Sequence, residues 1–152
     1  MKSMLKYLHL LGVIGFMGSA VATMLLAAVA AASAAPQAAA LRQALVPVVG
    51  WVLMPALGLA VLSGALSMML HAPFLSARWV WMKAGAGMLI GGAALFSWQP
   101  AVQRAATLAA SEPAALAQAL HTEAVDAWVC LALSLLAIAL GVWRPGLGRR
   151  ND

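Results

Sequence analysis

The sequence predicts an all-α integral membrane protein, a bundle of four transmembrane helices with its N and C termini in the cytoplasm. Hydrophobic residues make up 64% of the 152-residue chain, and charged residues make up only 9%. Four apolar stretches are each long enough to cross about 30 Å of hydrocarbon. We therefore treat residues 1–152 as a single domain whose main partner is the lipid bilayer.

The basic residues predict which side of the membrane each helix end faces. Arg42 and Arg104 fall on one side of a four-pass arrangement, and the other lysines and arginines fall on the opposite side. Positive charge accumulates on the cytoplasmic side, so both termini should be cytoplasmic and the protein should lie in the inner (cytoplasmic) membrane. Because the basic residues are scattered singly, we do not expect nucleic-acid binding.

The first predicted helix covers about residues 5–32. Its basic start at Lys2 and Lys6 and the small residues Ala32-Ser33-Ala34 are also typical of a cleaved signal peptide, so two interpretations are open. The apolar stretch is longer than the signal-peptide core of about 7 to 15 residues, which favours a retained helix. Intact mass of the N-terminus would distinguish them.

His9 is a polar residue one turn into this apolar stretch, where polarity is expensive and commonly functional. Helical spacing puts His9 on one face with Gly12, Phe16 and Thr23. Small residues and a hydroxyl are typical of contact with other helices rather than with lipid. His9 is therefore the first candidate for function.

The second predicted helix covers about residues 45–71 and contains Pro55, which should kink it. It should end at His71-Ala72-Pro73, because the residue before a proline resists helical geometry. Its later face is small and polar, with Ala60, Ser63, Gly64, Ser67 and His71.

The third predicted helix covers about residues 79–98 and follows Arg78. Lys83 lies one turn inside this helix, on a face that should turn toward the bundle interior. Gly87 and Gly91 have the spacing that permits close approach of another helix.

The fourth predicted helix covers about residues 124–143, after an external helical loop at about residues 99–123. Ser111-Glu112-Pro113 resembles a helix start that could run on into the fourth crossing. The tryptophans all lie near predicted helix ends, as expected of residues that anchor at the two interfaces. They are Trp51, Trp79, Trp81, Trp98, Trp128 and Trp143.

His9, His71 and Lys83 should share one membrane depth near the cytoplasmic side. Such nitrogen groups could hold haem b between helices, with His9 and His71 as metal ligands and Arg78 or Lys6 beside the propionates. Lys83 would be a second ligand or a catalytic proton carrier. In the structural alternatives, His9 only forms a hydrogen bond with a neighbour, His71 is solvated and Lys83 extends to the interface.

Two other metal interpretations are weaker. Met68 and Met69 beside His71 could bind copper, although methionines also fill gaps in apolar bundles. His121 lies near Glu123 and Asp126, a group that reads more simply as a solvated polar cap than as a metal site.

The sequence resembles the group of small membrane proteins that includes the HemJ-type protoporphyrinogen oxidases and copper-resistance protein D (CopD). The resemblance covers about residues 5–98. It rests on the segments His9-Leu-Leu-Gly-Val-Ile-Gly-Phe16-Met-Gly18 and Trp79-Val-Trp-Met-Lys83, with Arg42, Pro55 and Gly64 between them. It implies functional roles for His9 and Lys83 in a b-type haem protein that oxidises a porphyrinogen. The resemblance implies a divergent member of this group, because Phe16 stands where the HemJ pattern has tryptophan.

Three hypotheses follow. The first is a haem-binding membrane protein that acts as an oxidoreductase and passes electrons to a membrane acceptor. The second is a copper transport or resistance protein, and the third is a structural membrane subunit without a cofactor. A homo-oligomer is compatible with each.

Overall fold

The computed structural model describes residues 2–70, 78–108 and 113–143. These residues form four long helices and no strand, so the prediction of an all-α four-helix bundle is confirmed. Each helix is long and apolar enough to cross a membrane. The helices are α1 (Lys2–Ala31), α2 (Ala35–Met69), α3 (Arg78–Leu108) and α4 (Pro113–Trp143).

The bundle consists of two helix pairs. The second half of α2 packs closely along α1, and the first half of α3 packs along α4. The two pairs contact each other less around the end of α2 and the start of α3 than at the opposite end of the bundle, where the first part of α2 packs on the last part of α3. We call the half that contains the start of α1 and the end of α4 the terminal half, and the other the distal half.

The helices extend further than the crossings that the sequence predicts. α2 begins at Ala35, α3 continues to Leu108, and α4 begins at Pro113. The external loop predicted at residues 99–123 is therefore largely an extension of α3 and α4. Hydropathy marks where a crossing ends, whereas the hydrogen bonds of a helix continue through polar residues.

Exposed tryptophans mark two levels along the bundle. Trp128 and Trp143 are about 22 Å apart along α4, and Trp51 lies about 27 Å from Met69 along α2. Both lengths are close to the thickness of the hydrocarbon core. Trp98 is fully buried, so the prediction that all six tryptophans anchor at interfaces is wrong for this residue.

Two π-helical turns interrupt the α-helical ladder, at Val49–Leu53 in α2 and at Ala94–Trp98 in α3. Each ends two residues before a proline, Pro55 or Pro100. A proline donates no backbone hydrogen bond, so the carbonyl four residues before it loses its usual partner. The π-helical turn in α2 lies where Pro55 predicts a kink.

Among the described glycines, Gly12 of α1 makes the closest contact with another helix. A Cβ added there would lie 2.6 Å from the backbone nitrogen of Ala60 and 2.9 Å from the carbonyl oxygen of Ala56. At Gly87 and Gly91, an added Cβ would meet no described atom within 4 Å. The close contact predicted for α3 is therefore found between α1 and α2 instead, because spacing alone does not say which glycine face meets a partner.

Candidate ligand cavity

A cavity of about 380 Å³ lies in the terminal half, between the two helix pairs. All four helices contribute to its wall, which is mostly apolar. The polar side chains of the lining are Lys6 and His9 from α1, Ser67 from α2, Lys83 from α3 and Ser134 from α4. A mostly apolar cavity of this size with a few polar groups is typical of a small-molecule site.

The His9 ring is held against α2. Its Nδ1 lies 2.8 Å from the carbonyl oxygen of Ala60 and 3.4 Å from the Oγ of Ser63. A carbonyl can only accept a hydrogen bond, so Nδ1 is the protonated nitrogen that donates to Ala60. The lone pair of the neutral ring therefore lies on Nε2, which is free to bind a metal or accept a proton.

Two glycines make room for this contact. A Cβ on Gly64 would lie 3.3 Å from Cε1 and 3.4 Å from Nδ1 of His9, so the ring rests directly on this part of α2. Gly12, one turn after His9, allows the backbones of α1 and α2 to approach. His9 can therefore form a hydrogen bond with a neighbour and also act as a ligand, because each role uses a different ring nitrogen.

Lys83 points toward the bundle interior. Its side chain is half-buried and lines the cavity, and its Nζ lies 3.1 Å from the position that a Cβ on Gly141 of α4 would take. Val80, Ala86 and Ile90 on the same helix are buried. Lys83 thus lies between α3 and α4 and does not extend away from the bundle.

The charges at the cavity are all positive. Lys6 and Lys83 line it, and no aspartate or glutamate is found in the described lining. The chain has four acidic residues in total, of which Glu123 and Asp126 lie in the described distal half of α4. The cavity therefore has no carboxylate from the described part of the chain to balance its two lysines.

The predicted site residues have different outcomes. His9 and Lys83 line the same cavity, as their helix faces predict. Arg78 is exposed at the first residue of α3 and does not line the cavity, whereas Lys6 does. His71 lies outside the described residues. Gly64, Ser134 and Gly141 also surround the site; Gly64 lies on the predicted small face of α2, but no sequence signal marked the other two.

The metal interpretations can be compared with the described residues. No group of three histidine, cysteine or acidic side chains in these ranges could hold a metal ion. Met68 lines the cavity with His9, while Met69 is 77% exposed. Met17, Met24 and Met54 pack against the core, as expected of methionines that fill gaps.

A second buried polar group lies in the distal half. Arg42 of α2 donates a 2.7 Å hydrogen bond to the Oε2 of Glu123 on α4 and a 3.2 Å bond to the carbonyl oxygen of Ala27 on α1. The predicted solvated cap of His121 with Glu123 is therefore wrong for Glu123, which is buried, whereas His121 is exposed. Residues two apart on a helix do not share a face.

Several polar atoms in this half have no hydrogen-bond partner among the described residues. They are Nε1 of Trp98, Oε1 of Glu123 and Oδ2 of Asp126. In contrast, the buried hydroxyl groups of Ser19, Thr23 and Ser134 each donate a hydrogen bond to a carbonyl oxygen of their own helix.

Comparison with known proteins gives no match to a family model, a curated protein or a solved structure. The arguments about function therefore depend on the cavity and its residues.

Proposed function

We propose that the cavity binds haem b, which Nε2 of His9 would hold through the iron. Neutral imidazole is a common haem ligand, and metal-binding histidines generally donate their other ring N–H to a carbonyl or carboxylate. The 2.8 Å contact between Nδ1 of His9 and the Ala60 carbonyl oxygen has this form. This contact, at the wall of a cavity shared by four helices, is the observation that carries the proposal.

The remaining polar residues of the cavity have roles consistent with this ligand. When protonated, Lys6 and Lys83 carry the positive charge that suits the propionate groups, whereas a neutral Lys83 would instead act as a proton acceptor or a second ligand. The apolar wall suits the faces of the ring. His71 and Arg78 stay predictions as further cofactor contacts. His71 lies outside the described residues, and Arg78 does not line the cavity.

Bound haem would supply one-electron redox chemistry. The resemblance of the first and third helices to the HemJ-type proteins suggests oxidation of a porphyrinogen. In such a reaction electrons and protons leave the substrate together, so Lys83 would accept a proton and a membrane electron acceptor would take the electrons. This reaction and its acceptor are the less supported part of the proposal, because they derive from the resemblance.

Visible spectra test the haem proposal. Protein produced with haem supply should show a Soret band, which His9→Ala should remove. His121→Ala is the matched control, because His121 is exposed and lies outside the cavity lining, so its Soret band should remain. A wild-type protein without a Soret band, or a band unchanged in His9→Ala, would contradict the proposal.

Copper is a second candidate, because a thioether and an imidazole suit reduced copper and Met68 and His9 line the same cavity. Metal analysis of the purified protein distinguishes the two. Copper that is lost in Met68→Ala and in His9→Ala, without a Soret band in wild type, would favour the copper function. Haem that is retained in Met68→Ala would favour the first proposal.

A further inference from the structure

The cavity has an opening on the outer surface of the bundle between α2 and α3. Ala65 of α2 and Met88 of α3 both line the cavity, yet both are exposed, Met88 by 75%. A residue that is part of an internal wall and is also exposed lies where the wall is open. Lys6 of α1 and Ile138 of α4 meet the same criterion, whereas Ala65 and Met88 mark the opening between α2 and α3. Val61 and Ala84 continue the lining between them.

This opening is at the depth of the bilayer. Met88 lies about 15 Å along α3 from Arg78, roughly half the thickness of the hydrocarbon core. The exposed residues on both sides of the opening are apolar, so this surface suits lipid rather than water. A molecule that passes between α2 and α3 at this depth therefore comes from the membrane.

The cavity also selects for charge. Lys83 has no ion-pair partner in the described part of the chain, and neither Lys6 nor Lys83 has an acidic neighbour in the described lining. Lys6 is exposed, whereas Lys83 is half-buried, and a cation in an apolar cavity is unfavourable unless an anion accompanies it. Since the described chain supplies no such anion at the cavity, an acid group on the ligand fits the lysines best.

We propose that the cavity takes an anionic amphiphile from the bilayer, which enters between α2 and α3. Its acid group, a carboxylate or a phosphate, pairs with Lys83 and Lys6, and its apolar part lies along the wall formed by α2 and α3. Haem has the same combination of acid groups and apolar surface. The inference rests on the cavity of the proposed function but does not require haem.

Photolabelling of haem-free protein in liposomes tests the inference. The probe is a long-chain fatty acid with a photoactivatable diazirine on its chain, and the matched probe is the corresponding fatty alcohol. Val80 and Ser134 are the reporters, because both line the cavity and both are buried, so label there arrives from inside. Label on Leu62, which is 71% exposed and outside the lining, is the reference for lipid contact.

We expect the acid to label Val80 and Ser134 several-fold more than the alcohol does, relative to Leu62. Lys83→Met should reduce the acid to the level of the alcohol. Ala65→Trp, which fills the opening, should reduce cavity labelling, whereas Leu62→Trp on the lipid face should not. For this pair of variants, label on Leu89, which is 63% exposed and outside the lining, replaces label on Leu62 as the reference.

A lysophosphatidic acid probe with the same diazirine distinguishes phosphate from carboxylate as the preferred group. Equal cavity labelling by acid and alcohol, or acid labelling unchanged in Lys83→Met, would overturn the proposal. Because haem is not used, a protein that fails to bind haem can still give either result. A wild-type protein that shows no Soret band but is still labelled by the acid at Val80 and Ser134 would thus contradict only the proposed function.

Discussion

Arg42 and Glu123, which are 81 residues apart in the sequence, form a buried ion pair with a 2.7 Å hydrogen bond between α2 and α4. The side chains are only 8% and 5% exposed. The second guanidinium nitrogen reaches the carbonyl oxygen of Ala27, so one side chain connects three helices. The pair lies in the distal half, where the two helix pairs meet.

Removing one member of this ion pair should be much more harmful than removing both. Arg42→Met leaves Glu123 as an uncompensated buried charge, and we expect the free energy of unfolding to fall by about 3–5 kcal/mol, with a similar loss for Glu123→Leu. The double variant should recover most of this loss, since two apolar side chains need no partner. Denaturant unfolding of all four proteins in mild detergent measures the coupling. Losses that simply add would show that the pair does not act as a unit.

Gly12→Ala should separate α1 from α2. The added methyl group would meet backbone atoms of Ala60 and Ala56, which cannot move aside as a flexible side chain can. We expect the free energy of unfolding to fall by about 1–3 kcal/mol, as in other overpacked contacts. Any haem bound through His9 should also bind more weakly, because the same contact holds the His9 ring.

Gly18→Ala is the control for this prediction, since it makes the same change in the same helix. An added Cβ at Gly18 meets nothing within 4 Å, so stability should be unchanged or rise by up to about 1 kcal/mol from helix propensity. Equal effects at positions 12 and 18 would contradict a specific close contact. Denaturant unfolding again gives the comparison.

The orientation of the bundle can be tested with single cysteines. Cys130 is fully buried, and Cys130→Ala supplies a background without other thiols. In that background, Thr107→Cys in the distal half should react with a membrane-impermeant maleimide on intact cells, and Met4→Cys should react only after the cells are opened. Both positions are exposed on the folded chain. The reverse pattern would show that the termini face outward.

Much of the site was predictable from helix faces. The 3.6-residue period puts His9, Gly12 and Phe16 on one side of α1, and the same period turns Lys83 inward with Ile90. Periodicity did not identify the Ala60 carbonyl as the partner of His9, nor Gly141 as the neighbour of Lys83. Those contacts join residues far apart in sequence. The residues on one face of a helix do not reveal which other helix packs against that face.

The ends of the helices were less predictable than their number. Apolar runs mark the part of each helix that lipid surrounds, whereas α2 begins within less apolar sequence at Ala35 and α3 continues to Leu108. The start of α4 at Pro113 agrees with the helix start predicted from Ser111-Glu112-Pro113. From hydropathy alone, Arg42 and Glu123 are therefore predicted to lie outside the crossings and to be exposed. They are buried because the extended helices continue to pack, and their opposite charges satisfy each other there.

The sequence by itself determined the class of the molecule, because four long apolar stretches can satisfy their backbone polar groups in lipid only as helices. It also determined which faces carry His9 and Lys83. The tertiary structure alone decided that these two faces enclose one cavity, that Gly12 rather than Gly87 makes the close contact, and that Arg42 meets Glu123. The physical reason is that hydropathy and periodicity are local, whereas helix pairing depends on the fit of surfaces from distant parts of the chain.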